Sequence, residues 1–141
     1  MEDAKYREKL RLYPHMFPKD IEIWERYLKI YEKDYQKFLY DVKIGSVPRF
    51  PSGLPPEIYK MGDDLWKKRI DVVGIKTNEI EVIEVKPNAG LSALGQVLGY
   101  VKIYTDEKKP SLPVYPVLIT DYPKEDIPGL CLSFQVRLVV V

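Results

Sequence analysis

The sequence is poor in the residues on which several common functions depend. Its 141 residues include one cysteine and one histidine. An internal disulfide is therefore impossible, and a mechanism of the Cys–His or Ser–His–Asp type would rest on His15 alone. For His15 we expect a packing or surface role. Cys131 stands among Leu130, Leu132 and Phe134, a setting that indicates a buried thiol.

The sequence also lacks a signal peptide and any apolar run that approaches the length of a membrane span. These absences argue against a membrane partner and favour the reducing cytoplasm. The formal net charge is +1, so the chain has no overall basic field. A contact with nucleic acid must then use a local patch, and Lys67, Lys68 and Arg69 are the candidate DNA-binding residues. The other interpretation of this patch is a solvated strand edge.

One compact domain, residues 1–141, suits this length and a composition of 45% hydrophobic and 30% charged residues. Residues 1–18 are expected to form an N-terminal arm or a short helix. Residues 47–64 contain several prolines and glycines, too many for a regular element, and predict a long loop. Such a loop is either functional, here by wrapping a substrate, or a plain excursion of the chain.

Two runs rich in β-branched residues, 70–75 and 80–85, flank a polar segment and predict a β-hairpin. A two-residue turn and a four-residue loop give the same register, which places Asp71 directly opposite Glu84. Side chains alternate between the two faces of a strand, so Lys86 shares the face of Glu84. Two carboxylates and one ammonium group should therefore converge.

The predicted cluster needs something to offset the repulsion between its two acids. Directly opposed residues have Cβ atoms about 4.5–5.5 Å apart, a distance at which like charges destabilise a sheet. A Mg²⁺ ion is commonly held by one or two carboxylates with waters and substrate phosphate, and it would relieve the repulsion. Pro87 ends the strand just after Lys86, and open α/β sheets bind ligands at strand ends. The alternative is an ordinary exposed hairpin face.

A helix is predicted after the hairpin, with Ser92, Gln96 and Tyr100 spaced by four on one face. The face predicted to pack on the sheet is apolar and consists of Leu91, Leu94, Leu98 and Val101. Gly95 and Gly99 each cost about 1 kcal/mol relative to alanine inside a helix, so we infer that they allow close approach to the strands. Gln96 and Tyr100 would then lie over the carboxylates.

The remaining elements follow from their hydrophobic periodicity. Apolar residues at helical spacing over 21–38 predict an amphipathic helix, and alternation over 40–44 predicts a strand. A buried strand is expected at 117–120, giving a β-α-β unit with the hairpin and its helix. Alternation over 132–138 predicts a last strand after a polar connection at 121–129. The order is one helix, three strands, one helix and two strands, which is typical of an α/β domain.

The ordered set of Asp71, Glu84-Val85-Lys86 and Gln96-x-x-x-Tyr100 resembles the PD-(D/E)XK nuclease superfamily. The similarity is to the branch with a Gln-x-x-x-Tyr motif, typified by RecB-like exonuclease domains, with viral and phage relatives. The resemblance implies a single α/β domain with a restriction-endonuclease-like αβββαβ core, in which a mixed central sheet is flanked by helices. The chain departs from the family pattern in one place, since Ile70 stands where a proline often precedes the acid.

The resemblance also implies a site. Asp71, Glu84 and the backbone carbonyl of Val85 would hold Mg²⁺ or Mn²⁺, and Lys86 would assist the attacking water. By the same analogy, Gln96 and Tyr100 would position Lys86 and the DNA strand.

Many relatives add an acid from an N-terminal helix. The spacing does not assign this acid, for which Glu22, Glu25 and Glu32 are all candidates, and we take Glu25 as the possible fourth acid.

The function implied is that of a metal-dependent deoxyribonuclease that hydrolyses phosphodiester bonds. One alternative is a non-catalytic nucleic-acid-binding or phage assembly protein that keeps the nuclease fold. Another is a Holliday-junction resolvase, which would need a homodimer; the apolar tail 138–141 would supply an edge. The sequence leaves open whether attack is endo or exo and whether the substrate is single-stranded, duplex or branched.

Overall fold

The computed structural model describes residues 8–9, 11–47 and 49–141, apart from the side chains of residues 63 and 64. The helices are α1 (Pro18–Tyr31), α2 (Pro56–Trp66), α3 (Leu91–Lys108) and α4 (Ile127–Ser133). The strands are β1 (Lys37–Ile44), β2 (Lys68–Ile75), β3 (Ile80–Val85), β4 (Val114–Thr120) and β5 (Arg137–Val140). Much of the arm or short helix predicted for 1–18 lies outside the described residues. No helix in the described ranges is long and apolar enough to cross a membrane.

The five strands form one mixed sheet in the order β1-β2-β3-β4-β5. The pairs β1–β2 and β2–β3 are antiparallel, whereas β3–β4 and β4–β5 are parallel. Helices cover both faces: Leu94 of α3 and Cys131 of α4 share one buried core with Val73, and Trp24 of α1 shares the other with Val72. The predicted α/β domain with a mixed central sheet flanked by helices is confirmed.

The register predicted for the hairpin is confirmed. Val72 pairs with Ile83 and Ile75 pairs with Ile80, and the Lys76 N–H donates to the Glu79 carbonyl at 2.9 Å to close the turn. Because the turn holds the two strands in this alignment, the next pair toward the open end is that of Asp71 and Glu84.

The first helix is shorter than predicted. It ends at Tyr31 and is followed by a 3₁₀ turn (Glu32–Asp34), so Tyr35 and Phe38 do not belong to it. Both aromatic rings nevertheless pack against the core on the α1 face of the sheet, and the centroid of Phe38 lies 5.1 Å from that of Trp24. The helical spacing predicted too long a helix because aromatic residues of the helix and of the segment after it pack against the same core.

The segment 47–64, predicted to be a loop, contains the first part of α2. Proline at the first helical position costs nothing, since the N–H that it lacks would have no partner in the helix, and Pro56 occupies that position. Gly62 lies against the ring of Phe50, where any side chain would collide. Both supposed breakers are thus compatible with the helix.

The strand predicted over 132–138 is wrong in its first half, which belongs to α4 and the turn after it. In α4, Ile127 and Cys131 are four residues apart and both buried, whereas Leu132 is 83% exposed. The apparent alternation came from residues whose side chains do not share a sheet face. The buried thiol predicted for Cys131 is confirmed.

The glycines of α3 do not approach the strands. Gly95 and Gly99 face solvent, and an added Cβ at either position would meet no atom within 4 Å. Leu91 is also exposed, while Leu94 and Val97 are buried against the sheet. The face of α3 that packs on the sheet is therefore rotated relative to the predicted apolar face. Gly95 and Gly99 lie on the solvent-exposed face and carry no side chain there.

Candidate functional site

The centre of the candidate site is a pair of buried acids at the open end of the hairpin. The carboxyl group of Glu84 donates a hydrogen bond to that of Asp71, and Asp71 Oδ2 also accepts from the Val85 N–H at 3.0 Å. Glu84 is only 7% exposed. Its Oε2 atom is buried and has no hydrogen-bond partner within the described part of the chain.

Burial and proximity make it hard to ionise both acids. Burial raises the pKa of the Glu84 carboxyl well above its usual range, and the Asp71 charge raises it further. The pKa of Asp71 is raised by burial as well, although the hydrogen bonds from Glu84 and from the Val85 N–H oppose that shift. Ionisation of one acid therefore disfavours ionisation of the other.

A third acid, Asp20, lies in the first turn of α1 and influences the pair electrostatically. Its charge raises the pKa of both Asp71 and Glu84, and its Oδ2 atom accepts a hydrogen bond from the Phe17 N–H at 3.0 Å. Burial raises the pKa of Asp20 itself.

The role of Glu25 as the acid of the N-terminal helix stays a prediction. The Glu25 carboxylate forms an ion pair with Lys9. Asp20 lies in the first turn of α1. An acid at that position is ordinarily explained by its favourable interaction with the helix dipole alone. The sequence therefore provided no separate reason to connect Asp20 with Asp71 and Glu84.

Lys86 supplies positive charge to the acids. Its side chain is exposed, and its ammonium group lowers the pKa of Asp71, Glu84 and Asp20. The Lys86 N–H donates to the Ile119 carbonyl at 2.9 Å, so the pairing of β3 with β4 continues one residue past the strand. The backbone at Lys86 is therefore held by the sheet while its side chain is exposed.

Gln96 and Tyr100 of the Gln-x-x-x-Tyr motif line one cleft, and the lining residues described for it do not include Asp71, Glu84 or Lys86. Burial raises the pKa of the half-buried Tyr100, and the charges of Glu84 and Asp71 raise it further, which shows that the phenol lies near the acids. Gln96 lies one turn earlier in an open cleft of about 310 Å³. The cleft is lined by Lys68, Gly95, Gln96, Gly99, Tyr100 and Ile103.

The three basic residues ahead of Asp71 have different surroundings in the structure. Lys68 is exposed and lines the cleft, whereas Arg69 Nη1 binds Asp41 Oδ2 at 2.8 Å and also contacts His15. Lys67 is partly exposed. The guanidinium of Arg69 is thus engaged within the protein, and His15 has the surface role that the sequence predicted.

The donor set suits a hard divalent cation. Asp71 and Glu84 present carboxylate oxygens, one of them buried without a partner, and the backbone carbonyl of Val85 is the third predicted donor. Asp20 lies farther out, since no group of three or more His, Cys, Asp or Glu side chains in the described ranges is close enough to hold a metal by itself. A cation here would need water or substrate oxygens as further ligands.

Comparison with known proteins supports the fold. No family model and no curated protein matches the sequence. Among solved structures, the chain is similar to the crystal structure of a repair endonuclease from Pyrococcus abyssi, with a TM-score of 0.50 and 16% sequence identity. The similarity covers 90% of this chain and 49% of that one, so this chain spans about half the length of the endonuclease. The fold is that of a restriction-endonuclease-like α/β domain.

Proposed function

We propose that the protein is a metal-dependent nuclease that hydrolyses phosphodiester bonds of DNA. The observation that carries the proposal is the buried Asp71–Glu84 pair, which has one carboxylate oxygen without a partner and Lys86 beside it. A structural site would not be expected to keep two acids in contact at the end of a strand without a fixed counter-ion. The similar fold of an endonuclease is in keeping with this function.

Each acid has a proposed role. Asp71, Glu84 and the Val85 carbonyl would hold Mg²⁺ or Mn²⁺. When bound, the ion polarises a phosphoryl oxygen and lowers the pKa of a water molecule. The Asp71 carboxylate is oriented for this by the Val85 N–H. Asp20 takes the place proposed for Glu25 and adds negative charge at the outer side of the pair.

The cations and the tyrosine act on the substrate. Lys86 orients the attacking water and stabilises the charge that develops on the phosphate, since its ammonium group already lies in the field of the acids. Tyr100 and Gln96 place the DNA strand over the acid pair, and Lys68 contacts a phosphate from the far side of the cleft.

The direct test is incubation of the protein with mixed DNA substrates in Mg²⁺, in Mn²⁺ and in a chelator. We expect cleavage only with metal, and a loss of about 100-fold or more in rate for Glu84→Gln and for Lys86→Ala. Lys102→Ala is the matched control, because Lys102 is an exposed lysine paired with Asp106 on α3.

In a chelator, neither site variant should melt at a lower temperature than the unmodified protein, so that the loss of activity does not reflect unfolding. Cleavage by Lys86→Ala at the rate of the unmodified protein would contradict the assignment of this site. Tight DNA binding without cleavage under any metal condition would favour the non-catalytic alternative, and a dimeric mass in solution would bring the resolvase alternative forward.

A further inference from the structure

The segment that joins β1 to β2 folds upon itself. The Tyr59 hydroxyl donates to the Pro51 carbonyl at 2.7 Å, and the rings of Tyr59 and Phe50 lie 6.4 Å apart, edge to face. Gly62 of α2 packs on the same Phe50 ring. Across the described residues, α2 makes no extensive contact with another helix or strand. We call residues 49–66 the lobe.

The lobe exposes large apolar side chains that nothing in the described structure covers. Met61 and Trp66 are each 55% exposed, and Leu65 is 72% exposed. Tryptophan is among the most deeply buried residues on average, and the other tryptophan of this chain, Trp24, is fully buried. An indole held open to solvent at the end of a helix is therefore a feature that needs a partner.

The exposed indole lies close to the candidate site. Trp66 is followed by Lys67 and by Lys68, which lines the cleft with Gln96 and Tyr100. Two residues of extended chain span at most about 7 Å, and the five residues from Trp66 to Asp71 at most about 18 Å. The exposed indole therefore lies within a short length of chain of the cleft residue Lys68 and of Asp71.

We propose that Trp66, Lys67 and Lys68 form a stacking subsite for an unpaired base, so that the preferred substrate contains a single-stranded segment. Proteins that bind single strands combine cations that follow the backbone with aromatic rings on which bases stack. The bases of a duplex are already stacked on each other and offer no free face. The proposal rests on the proposed nuclease function and adds the class of substrate.

A nucleic acid fits this surface better than a second protein chain. Two lysines directly follow the exposed indole, and their charges complement phosphates rather than another apolar face. Gly95 and Gly99 line the same cleft as Lys68, and an added Cβ at either glycine would meet no atom within 4 Å, so this side of the cleft is open.

Binding can be measured from the fluorescence of the protein in a chelator, where no cleavage is expected. We expect a single-stranded oligonucleotide to quench part of the tryptophan emission and a blunt duplex of the same length to quench little. Trp66→Phe should abolish the quenching, since buried Trp24 cannot stack on a base. By fluorescence anisotropy of the labelled oligonucleotide, Trp66→Ala should weaken single-strand binding by roughly 5- to 100-fold.

Leu65→Ala is the matched control, because it removes exposed apolar surface from the adjacent position without removing an aromatic ring. It should leave single-strand affinity within about twofold, and Trp66→Phe should keep most of that affinity because phenylalanine still stacks. Equal binding of single strand and duplex, or a Trp66→Ala variant that binds single strands as before, would overturn the subsite. A Trp66→Ala variant whose only change is its solution mass would do so too, because the indole would then contact a second copy.

Cleavage separates this inference from the proposed function. With metal, the unmodified protein should cut an oligonucleotide with a single-stranded arm faster than a blunt duplex, and Trp66→Ala should lose that preference. Cleavage of both substrates at equal rates, with no effect of Trp66→Ala, would overturn the subsite and leave the nuclease. Trp66-dependent binding without cleavage of any substrate would remove the nuclease function and leave a single-strand-binding surface.

Discussion

At the scale of single residues, Glu84 is the most informative position in the chain. Its carboxyl is buried, donates to Asp71, and has one oxygen with no partner among the described residues. A protonated carboxyl and a metal-bound carboxylate are the two ways in which such a group avoids an uncompensated buried charge. Rising pH should therefore destabilise the metal-free protein, whereas added metal should stabilise it.

We predict that the metal-free protein loses stability as pH rises. The raised pKa of Glu84 means that the folded state keeps a proton that the unfolded chain releases above its ordinary pKa of 4.5. The contribution of this proton to the free energy of unfolding is fully present below pH 4.5. It is lost as pH rises toward the folded pKa, by up to about 1.4 kcal/mol per pH unit. Denaturant unfolding in a chelator from pH 5 to pH 8 measures it.

Glu84→Gln is the control for this prediction, since its amide stays neutral at every pH. It should be as stable as the unmodified protein near pH 5 and more stable at pH 8. Mg²⁺ or Mn²⁺ should raise the melting temperature of the unmodified protein at pH 8 by mass action, and should have little effect on the variant. A stability that increases with pH in chelator, or a variant that is weaker at pH 8, would show that Glu84 is an ordinary ionised partner of Lys86.

The neighbouring residues Lys68 and Arg69 should behave differently although both are basic. Arg69→Ala leaves the mostly buried Asp41 without its 2.8 Å partner, so we expect a loss of roughly 1–3 kcal/mol in stability. Lys68→Ala should change stability by less than about 0.5 kcal/mol and should weaken DNA binding, with a shallower dependence on salt. Thermal melting and a salt titration of DNA affinity distinguish the two, and equal stability losses would contradict the division of the patch.

At the scale of the elements, glycines in β2 and α3 have opposite roles. An added Cβ at Gly74 would collide with the ring of Tyr35, whose hydroxyl donates to the buried Glu81. We expect Gly74→Ala to cost about 1–3 kcal/mol through overpacking. Gly95→Ala points into open space and should stabilise α3 by up to about 1 kcal/mol. Chemical denaturation of both variants checks this. A destabilised Gly95→Ala would support the earlier inference that Gly95 allows α3 to approach the strands closely.

At the scale of the whole molecule, the lobe should be separable from the α/β body. Ile44 pairs with Lys68 across β1 and β2, so the ends of the connection lie side by side and a short turn can replace residues 46–66. We expect the shortened protein to keep its melting temperature within a few degrees, since α2 packs mainly on its own loop. It should retain the metal effect at Glu84 while losing preference for single strands. Scanning calorimetry with and without metal checks the first two points.

Collapse of the shortened protein would show that the lobe belongs to the core. The apolar cores on both faces of the sheet argue against that outcome, because none of their described members comes from α2.

Several features could be predicted because they depend on short stretches of chain. The turn between Lys76 and Glu79 sets the hairpin register, and the register brings Asp71 to Glu84. The end of β3 and the start of α3 follow from Pro87 and the turn after it. These local features account for the acid pair, for Lys86 and for the position of Tyr100.

The remaining features could not be predicted because they depend on packing between distant segments. Alternation over 132–138 suited a strand, but burial of Ile127 and Cys131 against the α3 face favours a helix. The face of α3 predicted to be buried was wrong for the same reason. Contacts with the sheet, and not the spacing alone, decide which side of a helix is buried.

The sequence by itself determined that Asp71 and Glu84 meet, since a hairpin register depends on the turn between its strands. Only the tertiary structure decided that the charge of Asp20 in α1 acts on both acids, and that Trp66 stays exposed. The position of α1 depends on Trp24 and on the core that it shares with Val117, a residue far away in the sequence. Such long-range packing leaves no local periodicity from which it could be deduced.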